Sequence, residues 1–300
     1  MKDLRLITIT LAMMTFVACG PIQRTRQSED TPVRTPETEN LLINLKKVSA
    51  RGFMFGHHDD TNYGIGWEGD EGRSDVKSVC GDYPAVISFD LGHIELGDTM
   101  SLDKVPFTKI RKEILNQYKR GGMSSLSWHL RNPLTGGDSW DVSDTTVVKS
   151  ILPGGANHEK FTGWVSKVSA FINSLQTEEG VKVPVLFRPW HEHTGSWFWW
   201  GEKLCTPEEY KALWHMTVDI LRNDGVDNAL YAYSPGSEPQ DTAQYLKRYP
   251  GDELIDLIGF DTYQFERDTY LANLEKSLAI VDSIGKVHNK VIAITETGYE

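Results

Sequence analysis

The stretch 183–201 constrains this chain more than any other: Val-Pro-Val-Leu-Phe-Arg-Pro-Trp-His-Glu-His-Thr-Gly-Ser-Trp-Phe-Trp-Trp-Gly. It begins as an apolar run, 183–187, of the kind that forms a strand buried on both faces. The run breaks at Pro189 and delivers Arg188, His191, Glu192 and His193, then Trp197, Phe198, Trp199 and Trp200. A buried strand that ends in ionisable groups and then in flat aromatic faces suits a sugar. The strand holds a carboxyl group rigid and the loop supplies the stacking surface. The charge of the whole chain agrees: a formal net charge of −11 disfavours nucleic acid and anionic membrane surfaces and is compatible with an uncharged ligand.

Short apolar runs alternate with amphipathic helices along the rest of the chain, the pattern of a parallel α/β sheet. Strands are predicted at 53–56, 85–90, 123–129, 183–188, 229–234, 254–261 and 291–296. Helical spacing starts at Leu41, with Leu42, Leu45 and Val48 on one face. It is clearest where Phe161, Trp164, Val165, Val168, Phe171, Ile172 and Leu175 keep the i, i+3, i+4, i+7 pattern. Thr206-Pro207-Glu208-Glu209 reads as a capping box with proline at the first helical position. Asp268 opens a further helix, with Leu271, Leu274, Leu278 and Val281 inward and Gly285 as its stop. Seven βα units predict an α/β fold, a (β/α)8 TIM barrel whose last βα unit is missing from a chain that ends at Glu300. A doubly wound sheet is the alternative arrangement.

The N-terminus has a different character. Lys2 and Arg5 precede an apolar or hydroxylic run, 6–17, that stops at Ala18-Cys19. The run is too short to span a bilayer and reads as a signal peptide. With a cysteine at the cut it resembles a bacterial lipoprotein signal, so residues 1–18 are expected to be removed and Cys19 to be lipidated. Residues 19–39, with Pro21, Pro32 and Pro36 among polar residues, read as a flexible tether. Residues 40–300 form the remaining domain. The expected location is the bacterial cell envelope, with the membrane reached only through the lipid at Cys19. Three cysteines are too few for a disulfide scaffold; Cys80 and Cys205 either pair or stay separate thiols.

Catalytic groups of a parallel barrel gather where the strands end. Here those ends carry His57, His58, Asp59 and Asp60; Asp90, His93 and Glu95; His129 and, further on, Trp140; Glu192; Asp261 and Tyr263; and Glu296. The fourth and seventh strands set Glu192 and Glu296 across one cavity, the arrangement glycoside hydrolysis requires. One carboxyl must keep its proton at neutral pH, and an apolar wall of Trp190 and Trp197 is expected to raise the pKa of Glu192. The other must stay charged, with His129 and Tyr263 as its expected donors. A plainer alternative makes one glutamate the structural ion-pair partner of Arg188. A zinc site built from His191, His193, His57 and His58 is disfavoured by spacing, so no cofactor is expected. Of Trp197, Trp199 and Trp200, at least one is expected to stack on a sugar ring and the others to pack the loop.

These motifs resemble glycoside hydrolase family 26, chiefly its β-mannanases. The resemblance rests on Phe55-Gly56-His57, Ser127-Trp128-His129 with Asn132-Pro133, and Arg188-Pro189-Trp190-His191-Glu192. It continues through 195–200, Phe260-Asp261-Thr262-Tyr263 and Thr295-Glu296-Thr297-Gly298. It implies a (β/α)8 fold and a retaining mechanism, with Glu192 as acid/base and Glu296 as nucleophile. His129, His191, Trp197 and Tyr263 match positions that bind the sugar or orient the nucleophile, and Trp140 falls near another such position. His57, Trp67, Asp90 and Asp261 complete the candidate substrate-binding set. The implied partner is β-1,4-mannan or a manno-oligosaccharide, acted on by a monomer in endo fashion or by release of mannobiose. The competing expectations are a β-1,3-xylanase or mixed-linkage β-glucanase, and a glycan-binding lipoprotein without activity.

Overall fold

The computed structural model describes residues 34–299. The signal peptide, Cys19 and the tether up to residue 33 lie outside the described residues. The first helix, α1 (Pro36–Ser49), starts inside the segment read as tether. Thr35 caps it by accepting the Thr38 N–H, and Pro36 occupies the first turn. Arg34 pins this entry by a 2.8 Å ion pair to Asp256.

The strands and helices that follow are β1 (Gly56–His58), β2 (Tyr63–Gly64), β3 (Trp67–Glu68), α2 (Asp75–Cys80), β4 (Val86–Asp90), α3 (Phe107–Lys119), β5 (Met123–Ser127), α4 (Val147–Ile151), α5 (His158–Asn173), β6 (Val185–Arg188), α6 (Pro207–Asn223), β7 (Ala229–Tyr233), α7 (Thr242–Leu246), β8 (Leu257–Gln264), α8 (Arg267–His288) and β9 (Val291–Tyr299). Seven of the strands form one parallel sheet in the order β1-β4-β5-β6-β7-β8-β9. The sheet curls, with helices on its outer face, into the TIM-barrel type of α/β architecture. The predicted capping box at Thr206 and Glu209 is formed.

Alternation within the strands builds two cores. Ile87, Phe89, Leu126, Val185, Phe187, Tyr231, Ile258 and Phe260 belong to the large core that also holds Trp164, Val168 and Trp214 from the helices. Met123, Leu186, Leu230, Leu257 and Val291, at or near the starts of their strands, form a smaller cluster with Leu45 of α1. Further along the same inner face come Asp90, Ser127, Arg188 and Asp261; they line a cavity of about 1530 Å³ that runs from the small cluster beside α1 to the strands' C-terminal ends.

Several expectations shift. The first strand is not the apolar 53–56 but Gly56–His58, because pairing with β4 sets Gly56 opposite Val86; Phe53 and Phe55 are exposed. The sixth of the seven is displaced to Leu257–Gln264 by its long pairing with β9. A small β2–β3 hairpin was not foreseen. In α8 the buried stripe is Ser277, Ile280, Val281, Ile284 and Gly285; Leu271 and Leu278 are exposed. Gly285 does not end that helix. It lies against β9, where an added Cβ would meet Ile292 Cγ2 at 2.5 Å, and the stop is Asn289, left-handed at φ 53°. Cys80 and Cys205 are free thiols, one exposed and one buried.

Candidate active site

Two backbone irregularities aim the central carboxyl groups. After β6 the chain turns sharply, with Trp190 at φ 58° and Glu192 at φ 53°. Non-glycine residues hold this conformation only where their surroundings enforce it. Trp190 is fully buried among Trp128, Phe161, Trp199 and Trp200, with ring centroids 5.6–5.9 Å away. Its carbonyl accepts the Tyr210 hydroxyl at 2.7 Å, and the Glu192 N–H donates to Ser234 O at 2.8 Å. In β9 the register slips by one residue. Phe260 pairs with Ile294 but Asp261 pairs with Glu296, so Thr295 is extra. A bulge of this kind re-aims the side chain that follows it. Without it, two-residue alternation from Val291 would point Glu296 outward; with it, Glu296 joins Asp261 in the cavity.

One oxygen each of Glu192, Asp261 and Glu296 lies within 4.8 Å of the other two. Arg188 stands among them. It donates to Asp261 Oδ2 at 2.8 Å, to Ser234 Oγ at 3.0 Å and to a Glu296 oxygen. Tyr263 donates its hydroxyl to the other Glu296 oxygen at 3.1 Å. The Trp197 indole N–H donates to Glu192 Oε2 at 2.7 Å.

The two glutamates are driven apart electrostatically. Burial, then the charge of Glu296, pushes Glu192 up to about 6 against the opposing hydrogen bond from Trp197. Burial also opposes the charge on Glu296, but Arg188, His129 and His58 outweigh it and hold that carboxyl below its ordinary value. Between those two values, at mildly acid pH, the site holds a proton on Glu192 and a charge on Glu296, a spacing and division of protons that suit a retaining glycosidase.

The matches to known proteins agree with this geometry. The model of glycosyl hydrolase family 26 matches residues 31–297. The chain belongs to glycosyl hydrolase family 26. A mannan endo-1,4-beta-mannosidase of Bifidobacterium adolescentis is 34% identical over 88% of this chain and 27% of its own length. One from Bacillus subtilis is 27% identical over 74% of this chain and 60% of its own length. The chain thus spans less than two thirds of the length of either relative. Among solved structures, a GH26 beta-mannanase from Bacteroides ovatus is 62% identical, with a TM-score of 0.88 over 89% of this chain and 78% of the other.

Within this family 26 cavity, His57, Asp90, His129, Trp140, Glu192, Trp197, Asp261, Tyr263 and Glu296 all line the wall. Their parts differ. Trp140 and Trp197 are exposed; Trp140 stacks on His129 at 5.4 Å and 9°. Asp90 is saturated by protein donors: His129 Nδ1 at 2.7 Å, Ser127 Oγ and two backbone N–H groups. Burial alone would raise Asp90, but the neighbouring His129 charge and these bonds hold it well below the carboxylate range. Asp261 is likewise engaged, by Arg188 and Thr295. Asp90 thus positions other groups and has no oxygen left for a ligand, whereas Asp261 takes one side-chain bond on each oxygen and still faces the cavity.

Two candidates do not reach the cavity. Trp67 is buried in the β2–β3 hairpin, its N–H donated to Asp75 at 2.7 Å. His191 is fully buried behind His129, with the two Nε2 atoms 3.0 Å apart, so it contacts neither Glu296 nor the cavity. The expected apolar wall also needs correction. Trp190 is in the core, and Trp197 acts on Glu192 as a hydrogen-bond donor that lowers its pKa. Trp199 and Trp200 are fully buried and pack the loop. His193, also fully buried, lies between Tyr210 and Tyr233, well apart from any shared metal position with His57 or His58.

Two residues have more to do than their sequence suggested. Arg188 is more than a structural ion-pair partner, because it bridges Asp261 and Glu296; the signal in the sequence is an arginine that closes an apolar strand on its inner-face parity. His58 sits between Asp59 and Asp103. Burial opposes its charge, but the Asp103 hydrogen bond and the charges of Asp59 and Asp103 raise it to about 9, leaving a cation on the β1 side of the cavity.

Proposed function

We propose that this protein is a retaining β-1,4-mannanase. The observation that carries the reading is one cavity in which Glu192 and Glu296 lie within 4.8 Å, oxygen to oxygen, with pKa values displaced in opposite directions. The family relatives named as mannan endo-1,4-beta-mannosidases support the choice of polymer. In the first step Glu192 gives its proton to the glycosidic oxygen while a Glu296 oxygen attacks the anomeric carbon. The bond to the leaving sugar breaks and a glycosyl ester forms on Glu296. In the second step Glu192, now ionised, takes a proton from water; the water attacks the anomeric carbon and releases Glu296. Two inversions give net retention. Arg188 and Tyr263 keep Glu296 ionised between turnovers, and Trp197 holds the Glu192 carboxyl in place. The exposed faces of Trp140 and Trp197 offer stacking surfaces for sugar rings.

A time course on β-1,4-mannan, followed by NMR of the new reducing ends, tests this. The expected first product is the β-anomer, with internal cutting outpacing release of mannobiose. Appearance of the α-anomer first would sink the mechanism. Activity confined to β-1,3-xylan or mixed-linkage β-glucan would overturn the substrate.

The leader 1–18 and Cys19 support a lipid-anchored position in the bacterial envelope. Replacing Cys19 by Ala is then expected to move the protein from the membrane fraction to the soluble fraction. Unchanged membrane association would rule out the anchor.

A further inference from the structure

Arg248 follows α7 and is 2% exposed, yet among the described residues it has no carboxylate within ion-pair distance. Its guanidinium is spent on backbone carbonyls of a single loop. Nη1 donates to His193 O at 2.8 Å and to Trp200 O at 3.3 Å. Nη2 donates to Gly201 O at 3.4 Å, to Cys205 O, and contacts Cys205 Sγ at 3.1 Å. The cation also lies 4.7 Å over the Tyr210 ring, whose hydroxyl holds Trp190.

His193 directly follows Glu192, and 200–205 is where the same loop leaves the site. One planar fork therefore clasps the entry and the exit of the loop that carries Glu192 and Trp197. The neck is tight elsewhere too: Glu202 N donates to Gly195 O at 2.8 Å, and a Cβ on Gly201 would meet that oxygen at 2.6 Å. The strained turn at Trp190 and Glu192 needs such external support to persist. A buried cation without a counter-ion is costly, and here Nε also lacks a hydrogen-bond partner, so placing one here serves the loop more than the core.

We infer that Arg248 is a positioning residue for the proton donor: by tying both ends of the 192–205 loop it fixes where the Glu192 carboxyl meets the glycosidic oxygen. The inference rests on reading Glu192 as the acid. Its signature is dependence on the leaving group. A displaced acid slows departure of a sugar, which needs protonation, and spares departure of a phenolate, which does not.

The test compares Arg248→Met and Arg248→Lys with the parent chain. It measures kcat/KM for mannotetraose and for 2,4-dinitrophenyl β-mannobioside, with thermal unfolding as the control. For Arg248→Met we expect a loss of about a hundred-fold on mannotetraose, the scale of a misplacement near 1 Å. The loss on the aryl substrate should stay under about threefold, because that bond breaks without the proton. Arg248→Lys should recover only part of the loss, since an ammonium cannot span both ends of the loop. Proportional loss on both substrates, or failure of both variants to fold, makes Arg248 a general support and overturns the inference. Glu192→Ala, run alongside, separates the two claims. If it lacks the same discrimination, the acid assignment itself is wrong.

Discussion

Glu192 and Glu296 carry the same side chain and share one cavity, yet their neighbours pull their protons in opposite directions. Attack needs Glu296 ionised and departure needs Glu192 protonated. Activity should therefore fall as pH drops through the depressed pKa of Glu296 and fall again as pH rises through about 6, where Glu192 loses its proton. A profile of kcat/KM against pH on manno-oligosaccharide checks both limbs; a basic limb far above 6 would contradict the assignment. Trp197 gives a sharper test, because its N–H favours the ionised form of Glu192. Trp197→Phe should move the basic limb upward. It should also reduce kcat/KM at the optimum by about tenfold, the scale of one lost hydrogen bond to a charged group. A basic limb that stays still or moves down would show that the indole does not hold that carboxyl.

Among the elements, β9 depends most on its neighbours. Its bulge turns Glu296 inward, and Gly259 of β8 leaves room for the bulge: an added Cβ there would lie 2.6 Å from Thr295 Cγ2 and 2.9 Å from Ala293 O. Gly259→Ala should destabilise by about 1–3 kcal/mol through overpacking. Because the strain falls beside Thr295, kcat should drop with it. Gly163 in α5 is the control, since a Cβ there meets nothing within 4 Å. Gly163→Ala should be neutral or raise stability by about 0.5–1 kcal/mol. Thermal melts and kcat of both variants check this, and equal effects at the two sites would refute the role given to Gly259.

At the scale of the molecule, a chain of net charge −11 acting on a neutral polymer gains nothing from long-range steering. Raising salt from about 0.05 to about 0.5 M should therefore change kcat/KM on mannan by less than about twofold. A steep salt dependence would point to a charged substrate. The acidic trio Glu192, Asp261 and Glu296 already has its counter-charge in Arg188, so treatment with a chelator should leave the activity unchanged. Loss of activity that a divalent ion restores would count against the roles proposed for the two glutamates.

The alternation of apolar runs with helical stripes was enough to specify the parallel α/β sheet, because the central runs, β6 and β7, are buried on both faces. Local chemistry was legible for the same reason: the Thr206–Glu209 box forms within one turn. The arrangement of the site was legible only in part. Strand ends reveal which residues reach a barrel's C-terminal face. They do not reveal which of these spend their polar atoms on one another, as Asp90 does on His129 and Asp261 on Arg188. His191 shares a short motif with Glu192, but the left-handed turn sends one side chain into the core and the other into the cavity. Trp67 belongs to the expected binding set, but a two-strand hairpin buries it. Sequence alone determined the fold class and the family, because those follow from periodicity and from motifs local in the chain. The inward turn of Glu296 was decided by a register slip between two strands, and the grip on the Glu192 loop by an arginine from a different βα unit. Both are long-range contacts that no local pattern encodes.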